Sequence, residues 1–267
     1  MTTTTASGPK AKKLFSSSIL LWVRHDQPRQ QGMDYWKGPH SGIISATPGL
    51  LEYRQIHLAE FNPGLWPAVD GVETAIPVDR KIDGLAEVTF QSALSPLQGR
   101  TQTRLAYQDE VNVFRRTLLY AGLPGWSRWY DVAPTGSPVG ARSLIYLRRR
   151  ADVKGGDFKT FVQRELVTEM TRTGLLTELR SQVFMPWQEK LWDTPNVAHD
   201  NPEDQHLHAS LIVGAADGEA LRAVFADDIV DTLSDGLADF VSAVHAYAVG
   251  EALTFVRNGE ALPQYEK

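Results

Sequence analysis

The sequence predicts an α+β fold: two ferredoxin-like β-α-β-β-α-β repeats packed sheet to sheet as a pseudo-dimer within one chain. Three observations predict it. The apolar run "ILLWVRH" at Ile19–His25 has a counterpart in "SLIYLRRR" at Ser143–Arg150, with Trp22 matching Tyr146 and Arg24 matching Arg148. Each run is followed by a helix-period segment, a second strand and an irregular insertion containing Trp and Pro. The stretch "APTGSPVGA", residues 133–141, is a linker between the two sets. A single such repeat carries both helices on one face of its sheet, so the bare face must be buried. Two repeats bury each other's, as an eight-stranded barrel with four outer helices and a ligand cavity between the sheets.

The elements follow in order. Residues 1–13, "MTTTTASGPKAKK", are small and polar and are expected to form a disordered tail. The first repeat covers residues 14–132. Its first strand is Ile19–His25. Asp34 is the expected N-cap of a helix that buries Tyr35, Trp36, Ile43 and Ile44 and stops at Thr47–Gly49. "LLEYRQIHLAEF" then alternates, with Tyr53, Gln55 and His57 on one face and Arg54, Ile56 and Leu58 on the other. Residues 61–82 are the first insertion, and Gly84–Phe90 the third strand. Val111, Phe114, Leu118 and Ala121 predict a helix over Gln108–Ala121, ended by Gly122. Trp126–Val132 is the fourth strand.

The second, diverged repeat covers residues 142–267. Its helix spans Asp157–Thr173, its second strand lies in "ELRSQVFMPW", and Gln188–Gln205 is its insertion. "HLHASLIV" at His206–Val213 is a strand, Gly218–Phe240 a helix broken near Asp227, and Val244–Val256 the closing strand.

With 267 residues the chain can bury a sizeable core, and a net charge of −5 without long runs gives no footprint for nucleic acid or an anionic membrane. The absence of cysteine excludes disulfides, thiolate catalysis and sulfur-based zinc sites. No apolar run approaches membrane-spanning length, so a cytoplasmic protein with no membrane partner is expected.

At "YWKGPHSGIISATPGLLEYRQIH" the chain resembles the EthD-type dimeric α/β-barrel proteins, through Tyr35, Trp36, His40, Pro48, Gly49 and Tyr53, with Glu87 in a strand similar to the family's next one. The second half lacks the Trp and His of that helix, which implies one asymmetric site per chain. The resemblance implies small-molecule chemistry on aromatic or polyketide-like compounds, with lyases, cofactor-free oxygenases and haem-binding branches among the relatives.

The residues themselves suggest the parts of a site. His40 follows Trp36 by one helical turn, and Gly38-Pro39 kinks the chain between them, aiming the imidazole for acid/base work. Tyr53, Gln55 and His57 share a strand face expected to look into the barrel, where polar groups need water or a ligand. His40 and His57 are the expected acid/base pair, with Tyr53 and Arg24 holding a developing oxyanion. Trp22, Trp36, Gln55, Glu87, Tyr146 and Arg148 are expected substrate contacts, and Trp66 a lid residue or a structural plug. His206 and His208, two apart on a strand, fit either the cavity lining or a metal pair, and the lining is preferred. These parts point to a cofactor-independent lyase without a metal, acting on a small, mostly apolar, aromatic molecule. The alternatives are a haem-binding or cofactor-free oxidative enzyme and a non-catalytic binding protein. A small-molecule substrate is the expected partner, with a homodimer open.

Overall fold

Three consecutive serines, Ser16 to Ser18, lead into the apolar run Ile19 to Val23 along β1 (Ala11–Val23), and this strand organises the first repeat. In the computed structural model, which describes residues 8–226 and 236–267, β1 lies between β3 (Gly84–Phe90) and β4 (Phe114–Ala121), and β3 pairs in turn with β2 (Leu50–Leu58). The second repeat has the same order: β9 (Val241–Arg257), β6 (Ala141–Arg149), β8 (Ala209–Ala215) and β7 (Leu176–Val183). Fourth strand, first, third, second is the order that β-α-β-β-α-β connectivity requires. The expected fold class is therefore the observed one.

Two long strands join the repeats. β9 pairs with β6 through its first half and with β2 through its second. β1 passes from β4 to β5 (Ser127–Tyr130), and β5 pairs with β7. The ring closes through β9, β2, β3, β1, β5, β7, β8 and β6, leaving β4 and β10 (Glu260–Glu266) outside it.

One helix layer covers each repeat. In the first, α1 (Arg29–Tyr35), a π-helical turn (Trp36–His40) and α2 (Ser41–Ser45) run on continuously, and α3 (Ser95–Gln98) and α4 (Arg100–Val113) complete the layer. Pro39 lacks an N–H and crowds the carbonyl one turn back, and the wider π turn absorbs both defects. The second layer holds α5 (Gly155–Thr160), a π turn (Phe161–Leu166), α6 (Val167–Arg172) and α7 (Gly218–Val224). A π turn at the same place in both repeats is a further mark of their common plan.

Three apolar layers result: Trp36, Tyr53, Val113 and Phe114 beneath the first helices, Phe158, Phe161, Leu166 and Met170 beneath the second, and Leu20, Trp22, Ile56, Leu85, Tyr120, Tyr146, Ile212 and Tyr247 inside the barrel. Gly84 marks how tightly the first layer meets its sheet. A Cβ there would lie 2.5 Å from the Trp36 ring and 2.8 Å from the Ile56 carbonyl. Gly84→Ala is expected to lower the free energy of unfolding by about 1–3 kcal/mol in chemical denaturation, with the far-UV circular dichroism unchanged.

Several expected elements are corrected. Ala11–Lys13 belong to β1, opposite Trp129 and Tyr130, and not to a tail; residues 1–7 of the expected tail lie outside the described residues. Asp34 sits inside α1, which begins after Pro28. The helix expected over Gln108–Ala121 ends at Val113, and Phe114, Leu118 and Ala121 are strand residues of β4. "FRRTLLYA" satisfies both periods, and pairing with β1 decides it. The fourth strand of the repeat is thus β4, and Ser127–Tyr130 is an additional strand. His206 and His208 precede β8 and are not within it. The break expected near Asp227 lies outside the described residues.

Candidate functional site

The expected acid/base pair does not assemble. His40 is buried between helices, where its Nδ1 meets Asp109 Oδ2 at 2.8 Å and its ring stands edge-on to Phe114. That hydrogen bond, with one from the Tyr35 hydroxyl, holds the Asp109 carboxyl down at about 2. The π turn does aim His40, but at α4 and not at the end of the sheet.

The face of β2 is the reverse of the one expected. Ile56 and Leu58 enter the barrel, while Tyr53, Gln55 and His57 lie under Trp36. His57 stacks on the indole at 4.4 Å, Gln55 donates to the Trp36 carbonyl and to the Tyr53 hydroxyl, and its own carbonyl meets His57 Nε2 at 2.9 Å. The three polar groups satisfy one another, so this ladder packs the helix onto the sheet. A one-residue change of register exchanges every side chain between faces, and the barrel's apolar middle takes the aliphatic set.

The other expected residues scatter. Arg24 follows β1 and pairs with Asp26 on the surface. Trp66 packs edge-on against Phe225 at 5.8 Å in the second helix layer, as a plug and not a lid. Glu87 joins an ion network inside the barrel with Arg180 (3.1 Å) and Arg54 (3.7 Å). Trp22 and Tyr146 both face the barrel interior, as their alignment implies.

Arg148, His206 and His208 do come together. They line a cavity of about 940 Å³ at the end of the barrel, where β6, β7 and the approach to β8 diverge. Phe158, Phe184, Pro186, Trp126 and Trp187 form its apolar walls. The cavity is therefore at the mouth of the second repeat, and the space between the sheets is largely filled with side chains. Trp187 and Phe158 are not among the site residues expected from sequence: the first closes a strand-like run, and the second lies in the first turns of a helix.

The chemistry of the cavity is set by hydrogen bonds at its edge. The Arg149 backbone N–H donates to His208 Nδ1 at 3.1 Å, which puts the neutral ring's proton on Nε2. Burial, and then Arg149, His206 and Arg148, hold His208 down at about 4, so it is neutral at pH 7 and presents an N–H donor. His206 has the opposite arrangement. Its Nε2–H donates to the Asn201 carbonyl at 3.0 Å, leaving the Nδ1 lone pair free, and its ring lies 5.3 Å from Trp187. Arg148 pairs with Glu73 at 3.1 Å through Nη1, while its buried Nε has no partner among the described residues.

These residues do not fit a haem. An axial histidine offers a bare Nε2 and donates from Nδ1. His208 has that order reversed, and the free nitrogen of His206 is the hindered Nδ1. His40 has the fitting Nδ1–carboxylate bond but lines no part of the cavity. Among the described residues, no group of three or more His, Asp or Glu side chains is placed to hold a metal ion.

No family model matches the chain, and no curated protein matches it. Solved structures do. A Lactobacillus acidophilus protein assigned as a monooxygenase superposes with a TM-score of 0.52 at 11% identity, covering 94% of this chain and 99% of that one. An anthrone oxidase-like protein superposes with a TM-score of 0.54 at 8% identity, covering 95% and 98%. The fold is that of the dimeric α/β barrels, with both halves in one chain. The match extends over nearly the whole length of each partner, so the tandem plan is shared as well as the single repeat.

Two expectations give way to these findings. The structures matched are described as oxidative proteins, which overturns the cofactor-independent lyase. They share the barrel without pointing to the EthD type, so the narrower family assignment is replaced by the broader fold. No helix among the described residues is long and apolar enough to cross a membrane.

The buried histidines predict an acid-sensitive stability. His57 is held at about 4 by burial, and His208 at a similar value. Both lie below the unfolded value of about 6.5, so the unfolded chain binds more protons as pH falls from 6.5 to 4. Each is expected to remove up to ~3 kcal/mol of stability across that window, with none of the loss above pH 7. Urea denaturation at steps between pH 7.5 and 4.5 measures it, and His57→Phe is expected to flatten the curve.

Proposed function

We propose that this protein is an oxidative enzyme that deprotonates a flat, ionisable small molecule in the outer cavity and lets the resulting anion react with dioxygen. The observation that carries the reading is the pairing at the cavity edge: a histidine with a free lone pair, His206, beside two donors, His208 Nε2–H and Arg148 Nε, that lack protein partners among the described residues. A base next to fixed donors is the arrangement that generates and holds an oxyanion. The indole and phenyl walls suit a planar substrate. The descriptions of the matched structures, a monooxygenase and an anthrone oxidase-like protein, agree with oxidation as the reaction class.

In this reading His206 Nδ1 accepts a proton from the carbon or oxygen acid of the substrate. Asn201 fixes its tautomer and spreads the imidazolium charge. Arg148 and His208 bind the enolate or phenolate oxygen. The anion gives up electrons to dioxygen far more readily than its neutral parent, and a new C–O bond forms. The peroxide takes the proton back from His206, and the hydroperoxide then loses water, with the remaining C–H giving its hydrogen, so that one CH2 group and one O2 become one C=O and one H2O.

Oxygen uptake by the purified full-length protein tests this, with anthrone and a panel of enolisable aryl ketones bearing an acidic CH2 group as probes. The expected result is one O2 consumed per ketone formed, above the uncatalysed rate. Uptake that never exceeds the buffer rate across the panel would overturn the reading. Added haem is expected to leave the rate unchanged and to give no axially ligated Soret band.

A further inference from the structure

The upper end of the barrel interior carries polar groups for which the fold supplies no partner. Trp22 Nε1, Tyr146 Oη, Arg80 Nη1 and Arg116 Nε are buried and unbonded among the described residues. They belong to one contiguous cluster. The Arg116 guanidinium lies 4.7 Å above the Trp22 ring. Asn201 accepts from Arg80 at 2.7 Å and donates to the Tyr120 hydroxyl at 2.9 Å. Tyr247 donates to the Arg80 carbonyl, and its ring meets Tyr146 edge-on at 6.0 Å.

The charges in this cluster also lack a buried counter-charge among the described residues. Arg80 is held by the amide oxygens of Gln205 and Asn201, with no carboxylate bonded to it among the described residues. Arg116 has only Asp200, at 3.3 Å, whose side chain is 71% exposed. The opposite end of the same barrel is built differently: there Arg54, Arg142 and Arg180 meet Glu52, Glu87 and Glu178. Buried cations are ordinarily paired, and buried donors are ordinarily bonded. Two buried guanidiniums without a buried counter-charge, together with an indole N–H and a hydroxyl, form an anion site by composition.

We propose that this inner cluster binds a small carboxylate. A planar pair of oxygens matches a guanidinium's forked donors, and the surrounding tyrosine rings suit a compact organic acid. Phe184 and Leu207 belong both to this cluster and to the wall of the outer cavity, so they are the partition between the two. The inner site stands whether or not the outer cavity performs the oxidation.

Isothermal titration of the full-length protein with sodium benzoate and sodium acetate, against sodium chloride at equal ionic strength, tests the proposal. Saturable carboxylate binding is expected in the wild type, weakened about tenfold in Tyr146→Phe and in Trp22→Phe. Trp126→Ala, in the outer wall and packed against the second helix layer instead of the inner cluster, is expected to bind as the wild type does. Tyr146→Phe removes a hydroxyl that bonds to nothing among the described residues, so it is expected to keep the wild-type melting temperature. No saturable binding in the wild type overturns the inner site. Undiminished affinity in both Tyr146→Phe and Trp22→Phe, or loss of binding in Trp126→Ala alone, also overturns it, and the last places the carboxylate in the outer cavity.

Discussion

Glu178→Ala is expected to lower the free energy of unfolding by about 3–5 kcal/mol, because it strips the shared carboxylate from a buried network. Glu178 meets Arg54 at 2.7 Å, Arg142 at 2.7 Å and Arg180 at 3.0 Å, and all four side chains are largely shielded from water. Arg54 belongs to the first repeat and Glu178 to the second, so the bonds cross the barrel. Burial alone would raise the Glu178 carboxyl, but the three guanidiniums outweigh it and hold it well below the usual carboxylate range. A carboxyl depressed on folding stabilises the fold above its unfolded pKa, and that contribution is lost as pH falls toward the folded value. Glu178→Ala is therefore expected to lower stability at pH 7 and to flatten the steepest part of the acid limb. Glu87, whose carboxyl burial pushes up despite Arg180 and Arg54, behaves oppositely and does not supply this limb. A loss below 1 kcal/mol in urea denaturation at pH 7 would mean that the network contributes no cohesion between the repeats.

The second large effect is at the cavity. His206→Gln is expected to lower kcat by 10²–10⁴-fold on any substrate that the protein oxidises, with KM changed much less. Glutamine fills similar space and keeps a donor for the Asn201 carbonyl, but it has no basic nitrogen. Arg148→Met is expected to show the complementary pattern, a loss in both parameters, because the guanidinium holds the oxygen in the bound state and in the transition state. Equal kcat for His206→Gln and wild type would remove His206 from the proton transfer.

The fold was legible in the chain because it rests on repetition. "ILLWVRH" and "SLIYLRRR" announce two first strands, and the two helices and two insertions that follow leave little freedom for another order. Less was legible where one segment satisfies two periods. "VNVFRRTLLYA" places Val111, Phe114, Leu118 and Ala121 at helical spacing, yet Phe114, Leu118 and Tyr120 are also compatible with a strand. Only pairing with β1 decides between them, and that contact is distant in sequence. Ser16, Ser17 and Ser18 conceal the first part of β1 for a similar reason: three small hydroxyls give no strand signal ahead of Ile19 until Thr89 and Gln182 bond two of them.

The site was legible only in its second half. Arg148, His206 and His208 were recognisable as cavity residues because each is a polar group at the edge of an apolar run. The first-half set failed because His40 turns to Asp109 on α4, Arg24 to Asp26 on the surface, and the polar face of β2 to Trp36. The sequence offers Tyr53, Gln55 and His57 as a polar face without saying that they bond to one another and to the Trp36 carbonyl. A polar face that closes on itself has no need of a ligand. Unpartnered donors, which distinguish Arg148 and the inner cluster, are a property of three-dimensional neighbours and leave no periodic trace.

On the proposed chemistry the outer cavity binds an ionisable molecule as its anion, with His206 taking the proton. Anaerobic absorbance titration of the full-length protein with anthrone at pH 7 measures this directly, because the anion absorbs at longer wavelength than the neutral form. The prediction is a bound spectrum of the anion in the wild type, reduced in His206→Gln, and bleached to ketone product when oxygen is admitted. Saturable binding of anthrone entirely in its neutral form, indifferent to His206→Gln and stable in air, would contradict the account.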